Sequence, residues 1–359
     1  MTEEEVLQPA PIAPELVAPP QAAPQAAPVV PPVVGVRQLI GSSFELLLRL
    51  GDPLRRASFY VGLIVLGTGG PLALALWGSL LVGYDPELLA SETTTAVAGL
   101  WIFVLAFLLA GGIIVASIES TGVSIALLGG ELTGRPITIR QAVQRSRMVF
   151  WSIVVATLLV NIPTSLVQQL IGQTTEAGFV AGLIVATLIQ TPFVYAAAGI
   201  VLGGVGPIEA LKRSVRIARA RKVAALVLAI LPSVYGLLII VAFSAGIDLA
   251  VRAIEALGLG MDSGPASVAV LTVLIVMVAF ALGTLLFTAT AIIYAPQVVM
   301  FVGLTRATMG LDRVRPGGDH DPDHHGPERQ RFRWLTRPML LGFALGALGL
   351  AGFLATIAS

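Results

Sequence analysis

Long apolar runs separated by short polar segments dominate the pattern of this chain. A helix needs about 20 apolar residues to cross a bilayer, and seven runs reach that length. They cover about 58–82, 97–128, 149–171, 178–202, 223–247, 266–304 and 339–358. The pattern therefore predicts an all-α integral membrane protein with about seven transmembrane helices.

The polar segments between the runs alternate in charge. All but one of the 22 Lys and Arg residues precede the first run or follow the second, fourth or sixth, and Arg252 is the exception. Basic residues in short loops are retained on the cytoplasmic side. We therefore predict a cytoplasmic N-terminus and an outer C-terminus. The strong preference for Arg over Lys favours a prokaryotic source, and hence the cytoplasmic (inner) membrane of a prokaryote.

Three amphipathic segments on the basic side, 36–49, 136–148 and 207–222, each precede an apolar run. In the third, Ile208, Leu211 and Val215 recur at spacings of three and four, as in a helix lying at the headgroup level. The segments also resemble one another, and an internal proline interrupts the apolar run that follows each of them. This similarity predicts three parallel repeats, each an interfacial helix followed by two spans. Their bounds are about 36–134, 135–205 and 206–305.

These repeats form a six-span membrane domain, 36–305, between less regular segments. Residues 1–35 are rich in Pro and Ala, which is typical of a disordered cytoplasmic tail. Residues 306–337 are a polar cytoplasmic linker, and 338–359 are the seventh transmembrane helix.

Composition supports a membrane protein. Hydrophobic residues make up 56% of the chain and charged residues 12%, against about 25% charged in a soluble domain. The net charge is +1, although the basic residues gather on one face. That face suits the lipid bilayer, and anionic headgroups in particular. We do not expect nucleic acid as a partner, because the basic residues are interleaved with membrane helices.

One short motif carries a family resemblance. Residues 206–214, Gly-Pro-Ile-Glu-Ala-Leu-Lys-Arg-Ser, are followed by Arg216 and a new span. This stretch resembles the membrane domain attached to some glycerophosphoryl diester phosphodiesterases, and that of related uncharacterised six-span bacterial and archaeal families. The resemblance implies a six-helix membrane fold over 36–305. It implies no enzyme, because the soluble catalytic domain is missing.

Glu119 is the one acidic residue well inside an apolar run. A charge at that depth usually faces a cavity or a partner. Alignment of the repeats places Glu119, Gln190, Thr191 and Gln297 together in a possible polar cluster near the pseudo-axis. The alternative is that Glu119 lies near the cytoplasmic interface and pairs with a basic residue such as Arg145.

The amphipathic segments carry the second candidate surface, which is basic. It would contact anionic lipid or a membrane-protein partner, or would serve only to set topology. Its members are Arg140, Arg145, Arg147, Lys212, Arg213, Arg216, Arg219 and Arg221.

The sequence shows no catalytic, metal or cofactor motif. All three His residues lie within residues 320–325 of the polar linker, so a Ser/His/Asp set within the membrane is not possible. The favoured prediction is a non-enzymatic accessory or scaffold protein that contacts anionic lipid or a membrane complex. The alternative is a transporter or lipid-handling protein with a site between the repeats. A polar cavity would favour that alternative, and a fully packed core would favour the scaffold.

Overall fold

The structure, a computed structural model, describes residues 35–65, 92–172, 178–256, 265–310 and 313–317. Its α-helices are α1 (Val36–Arg49), α2 (51–65), α3 (Glu92–Leu132), α4 (Ile139–Gly172), α5 (Gly178–Gln190), α6 (Ala196–Gly203), α7 (Pro207–Ala220), α8 (Lys222–Ala256) and α9 (Pro265–Met309). The described residues contain no strand, which confirms the all-α prediction. The predicted tail, most of the linker and the seventh transmembrane helix lie outside the described residues.

Four stretches of the described helices are long and apolar enough to cross a membrane. They are Gly111–Leu132, Ile139–Gly172, Val180–Gly203 and Phe280–Thr308. A fifth is reached if α7 and Lys222–Leu238 are counted as one bent span. The apolar helices indicate a membrane-embedded protein, and the described part of the chain holds four or five candidate spans, fewer than the seven predicted for the whole chain. The first predicted span continues past residue 65, beyond the described residues.

The helix α4 joins an amphipathic segment and a span that the sequence had separated. It begins after Thr138 and not at Pro136, and it continues unbroken to Gly172. Thr138 and Gln141 form a capping box: the Thr138 N–H donates to Gln141 Oε1 at 2.8 Å, and the Gln141 N–H donates to Thr138 Oγ1 at 3.3 Å. This reciprocal capping satisfies two backbone donors, which explains why the helix begins three residues later than proline alone would indicate.

The third amphipathic segment folds as predicted. Pro207 occupies the first turn of α7, where the missing N–H costs nothing. The helix ends at Ala220, and the chain turns by 118° into α8. A bend of this size lets α7 lie along the membrane surface while α8 enters the bilayer.

Pro192 and Pro296 look alike in sequence but act differently. Pro192 lies in a 3-10 turn, Thr191–Phe193, that divides the predicted fourth span into α5 and α6. Pro296 lies inside the continuous helix α9. Only Pro192 therefore produces a discontinuous span.

Each amphipathic segment packs on one or more other helices. The segment α1 packs on α9, the first half of α4 on α3, and α7 on α6 and the 3-10 turn. Two glycines allow especially close approach. A Cβ built on Gly122 would lie 2.2 Å from Ser146 Oγ, and one built on Gly283 would lie 2.7 Å from the Gly62 Cα. Small residues at helix crossings are typical of membrane bundles.

Candidate functional site

Glu119 forms a buried ion pair with Arg147. The Nε and Nη2 atoms of Arg147 donate to Glu119 Oε1 at 3.1 and 3.0 Å, and Nη2 also donates to the Tyr60 hydroxyl oxygen at 2.9 Å. These contacts join α2, α3 and α4. The sequence anticipated an ion pair but named Arg145 as the example partner. The structure assigns the pair to Arg147, two residues further along the same helix.

Arg145 has a different role. It is buried, and its Nε donates to the Val201 carbonyl at 2.8 Å. Val201 lies in the last turn of α6, which ends at Gly203 and is followed by Gly204 with a left-handed φ of 60°. The carbonyls at a helix C-terminus lack intrahelical donors, and a cation there is favourable. Arg145 therefore caps α6 and is not available at the basic surface.

Two serines hold the amphipathic helices against their neighbours. Ser214 Oγ on α7 donates to the Pro192 carbonyl at 2.8 Å and accepts the Tyr195 N–H at 3.0 Å. Pro192 lies in the 3-10 turn and Tyr195 follows it, so one hydroxyl satisfies polar groups that the helix break exposes. Ser146 Oγ on α4 donates to the Glu119 carbonyl of α3 at 3.2 Å.

A basic cavity of about 300 Å³ lies between α7 and the end of α9. Arg213 and Arg216 of α7 line it together with Arg313, which follows α9. Ile217, Phe301 and Leu304 form its apolar wall. The cavity therefore combines positive charge with an apolar surface.

Glu209 partly neutralises this basic group. Its Oε1 accepts from Arg213 Nε at 3.0 Å and from Arg216 Nη2 at 3.4 Å. The hydrogen bond from Arg213 holds the pKa of the Glu209 carboxyl below its usual value of 4.5. Two of the three arginines that line the cavity thus share one carboxylate, and the local charge stays positive.

A second basic cavity, of about 500 Å³, lies at the bend between α7 and α8. Arg219, Arg221 and Lys222 line it, with Val36 of α1 and Met300 of α9. Of the other predicted surface residues, Lys212 and Arg140 are exposed and line neither cavity.

Sequence reasoning missed Arg313. That residue lies in the segment read as a polar linker, and nothing in its local sequence marks it. The structure holds Arg313 beside the helices, because the Arg315 N–H donates to the Leu202 carbonyl at 2.8 Å and Val314 is fully buried. The start of the linker therefore belongs to the packed domain.

A third cavity, of about 320 Å³, lies among α4, the α5–α6 break, α8 and α9. Gln190 and Gln297, two members of the predicted polar cluster, line it. Thr191, although adjacent, donates its hydroxyl to the Thr187 carbonyl. Glu119 does not line this cavity, and its carboxylate pairs with Arg147. The structure thus places two of the four residues at one cavity.

The described residues contain no group of three or more His, Asp or Glu side chains arranged to hold a metal ion. The chain has no Cys. Among the described residues, the candidate sites are the two basic cavities and the cavity lined by Gln190 and Gln297.

Comparison with known proteins returned no matching family model, no matching curated protein and no matching solved structure.

Proposed function

We propose that this chain is a non-enzymatic, multi-pass protein of a prokaryotic cytoplasmic membrane that docks anionic phospholipid on its basic face. The observation that carries the proposal is the cavity in which Arg213, Arg216 and Arg313 adjoin an apolar wall. An anionic phospholipid presents the same combination, a phosphate beside acyl chains. The chain would act as an accessory or scaffold protein anchored to such lipids.

The side chains of the cavity suit a phosphate group. A guanidinium offers paired N–H donors that match phosphate oxygens, and it is more weakly hydrated than an ammonium group. Phe301 and Leu304 then offer a surface for the first methylene groups of an acyl chain.

The position of α7 supports a location at the headgroup level. Basic residues in this region are attracted to an anionic leaflet by about 1 kcal/mol each. The apolar side of α7 is buried at Ala210 and Ala218, whereas Lys212, Arg216 and Arg219 are exposed. A helix of this kind lies in the interface, which by the charge rule is the cytoplasmic one, with the N-terminus on the same side.

We also propose seven spans and three parallel repeats. The support is that α1, the start of α4, and α7 each pack on the long second span of the preceding unit, with α1 on α9 closing the cycle. Ser146 and Ser214 add to it, because each donates from an amphipathic segment to a backbone carbonyl of that span. Such a six-span unit fits the resemblance to phosphodiesterase membrane domains, which stays a proposal.

The test is binding of phosphatidylglycerol to the full-length protein in nanodiscs, measured by native mass spectrometry. The test variant changes Arg213, Arg216 and Arg313 to Gln together. The control changes Arg37, Arg55 and Arg56 to Gln, which removes the same charge from exposed positions. A hydrogen bond to a charged phosphate is worth about 1.5–3 kcal/mol, so we expect the test variant to lose at least tenfold in affinity. The control removes exposed charges that make no such direct contact, and its affinity should change by about twofold.

Equal losses in both triple variants would show that only overall charge matters and would remove the cavity from the proposal. The alternative occupant of the basic face is a membrane-protein partner. In that case lipid affinity stays unchanged in both variants, and a complex recovered in mild detergent disappears only with the cavity variant.

A further inference from the structure

We infer that the cavity within the membrane, lined by Gln190 and Gln297, binds an uncharged lipid with a free hydroxyl group. The inference is independent of the anionic-lipid proposal, because this cavity shares no lining residue with the basic cavities. It rests on the depth of the cavity, the chemistry of its lining and its access.

The cavity lies near the middle of the bilayer. Thr157 is ten residues beyond Arg147 on α4, and Pro232 is ten residues beyond Lys222 on α8. At 1.5 Å per residue, both lie about 15 Å below the basic face. This is half of the roughly 30 Å hydrocarbon core, so a ligand here is surrounded by acyl chains.

The lining combines apolar and polar side chains and carries no charge. Its polar side chains are Thr157, Asn161, Gln190, Tyr294 and Gln297. A phosphate or ammonium group would therefore lie in a low-dielectric site without a counter-ion, which is strongly unfavourable. These residues select an uncharged ligand.

The cavity contains a hydrogen-bond acceptor that has no donor. Gln297 is only 3% exposed, and its Oε1 accepts no hydrogen bond. A buried amide left without a partner costs about 1–3 kcal/mol. Pro232, which also lines the cavity, has no N–H to offer the carbonyl four residues earlier in α8. A ligand hydroxyl would donate to Gln297 Oε1.

The cavity is bordered by a broken helix, as many intramembrane binding sites are. Gln190, Phe193 and Val194 line it from the two ends of the 3-10 turn at Pro192. Non-helical backbone at membrane depth is tolerated where it lines a cavity. Thr157, Asn161 and Pro232 are exposed, so the rim is open between α4 and α8, and a lipid can enter sideways.

The test uses full-length protein in nanodiscs and a photoactivatable diacylglycerol as the probe. Labelled peptides are quantified by mass spectrometry for the wild type, Gln297→Leu and Gln169→Leu. Gln169 is an exposed glutamine of α4 that does not line the cavity, so its variant controls for the loss of an amide. We expect saturable labelling of α4 and α8 near Asn161 and Pro232, a reduction of about fivefold in Gln297→Leu, and no reduction in the control.

A second variant is needed because Gln297 is buried and its replacement could itself disturb folding. Thr157→Phe adds bulk at an exposed rim position, and we expect it to reduce labelling at least fivefold without lowering the melting temperature. Unlabelled diacylglycerol should compete, whereas phosphatidylglycerol and glycerol should not. Equal labelling of all variants, equal competition by phosphatidylglycerol, or no labelling at all, as for a cavity holding only water, would each overturn the inference.

Discussion

Arg147 and Glu119 lie 28 residues apart in sequence and form an ion pair at 3.0 Å between Nη2 and Oε1. The Glu119 side chain is 9% exposed and that of Arg147 28%. Removing one partner of a buried pair leaves the other charge uncompensated, which costs about 3–5 kcal/mol. We therefore expect both Glu119→Gln and Arg147→Gln to be strongly destabilising.

A double-mutant cycle on unfolding in mixed micelles measures this coupling. The double variant should be more stable than the sum of the two single losses indicates, because no lone charge remains. Asp52→Asn is the control, since its ion pair with Arg55 is mostly exposed and should contribute at most about 1 kcal/mol. Additive losses would mean that the two side chains do not interact.

The glycines of α9 should respond in opposite ways to alanine. A Cβ at Gly283 would meet the Gly62 Cα at 2.7 Å, whereas one at Gly303 would meet nothing within 4 Å. Gly283→Ala should separate α2 from α9 and destabilise the protein by about 1–3 kcal/mol. Gly303→Ala should be neutral or stabilise it by up to about 1 kcal/mol through helix propensity. Melting temperatures of the two variants in one detergent decide this, and equal shifts would contradict the close helix crossing.

Ser214 should matter more than Ser43. Ser214→Ala leaves the Pro192 carbonyl and the Tyr195 N–H without their partner, at a cost of about 1–3 kcal/mol. Ser43 donates only to the Leu39 carbonyl of its own helix, which that helix already satisfies. Ser43→Ala should therefore change stability by less than about 0.5 kcal/mol. Hydrogen exchange at Tyr195 provides a local readout and should accelerate only in Ser214→Ala.

Glu209 should set the pH dependence of lipid binding at the basic cavity. Its pKa is lowered by Arg213, so the carboxylate stays charged until the pH falls through that lowered value. Affinity for phosphatidylglycerol should hence be flat from pH 8 to pH 5 and should rise only below pH 4.5, as Glu209 becomes neutral and releases the guanidinium groups. Glu209→Gln should bind more tightly, by about threefold at neutral pH, and should lose this acid response. A rise already at pH 6 would assign the effect to another group.

The sequence predicted only some of the contacts that the repeated segments make. Ser146 and Ser214 have the same spacing from an upstream Ala and Arg in their amphipathic segments, and both donate to a carbonyl of another helix or turn. The outcome for Arg145 and Arg147 could not be predicted, because both lie on the same amphipathic segment. Which one meets Glu119 depends on the rotation of α4 against α3, and that rotation is set by the close contact between Gly122 and Ser146.

The sequence by itself determined that this is an all-α membrane protein with a basic face, since apolar length and arginine placement are local properties of the chain. It also located α1 and α7, whose apolar and basic positions recur with the helical period. Only the tertiary structure decided that Arg145 caps α6 and that Arg313 lines the same cavity as Arg213. It also decided that Gln190 and Gln297 share a cavity without Glu119. These relationships depend on how helices rotate and approach, which short-range patterns do not encode.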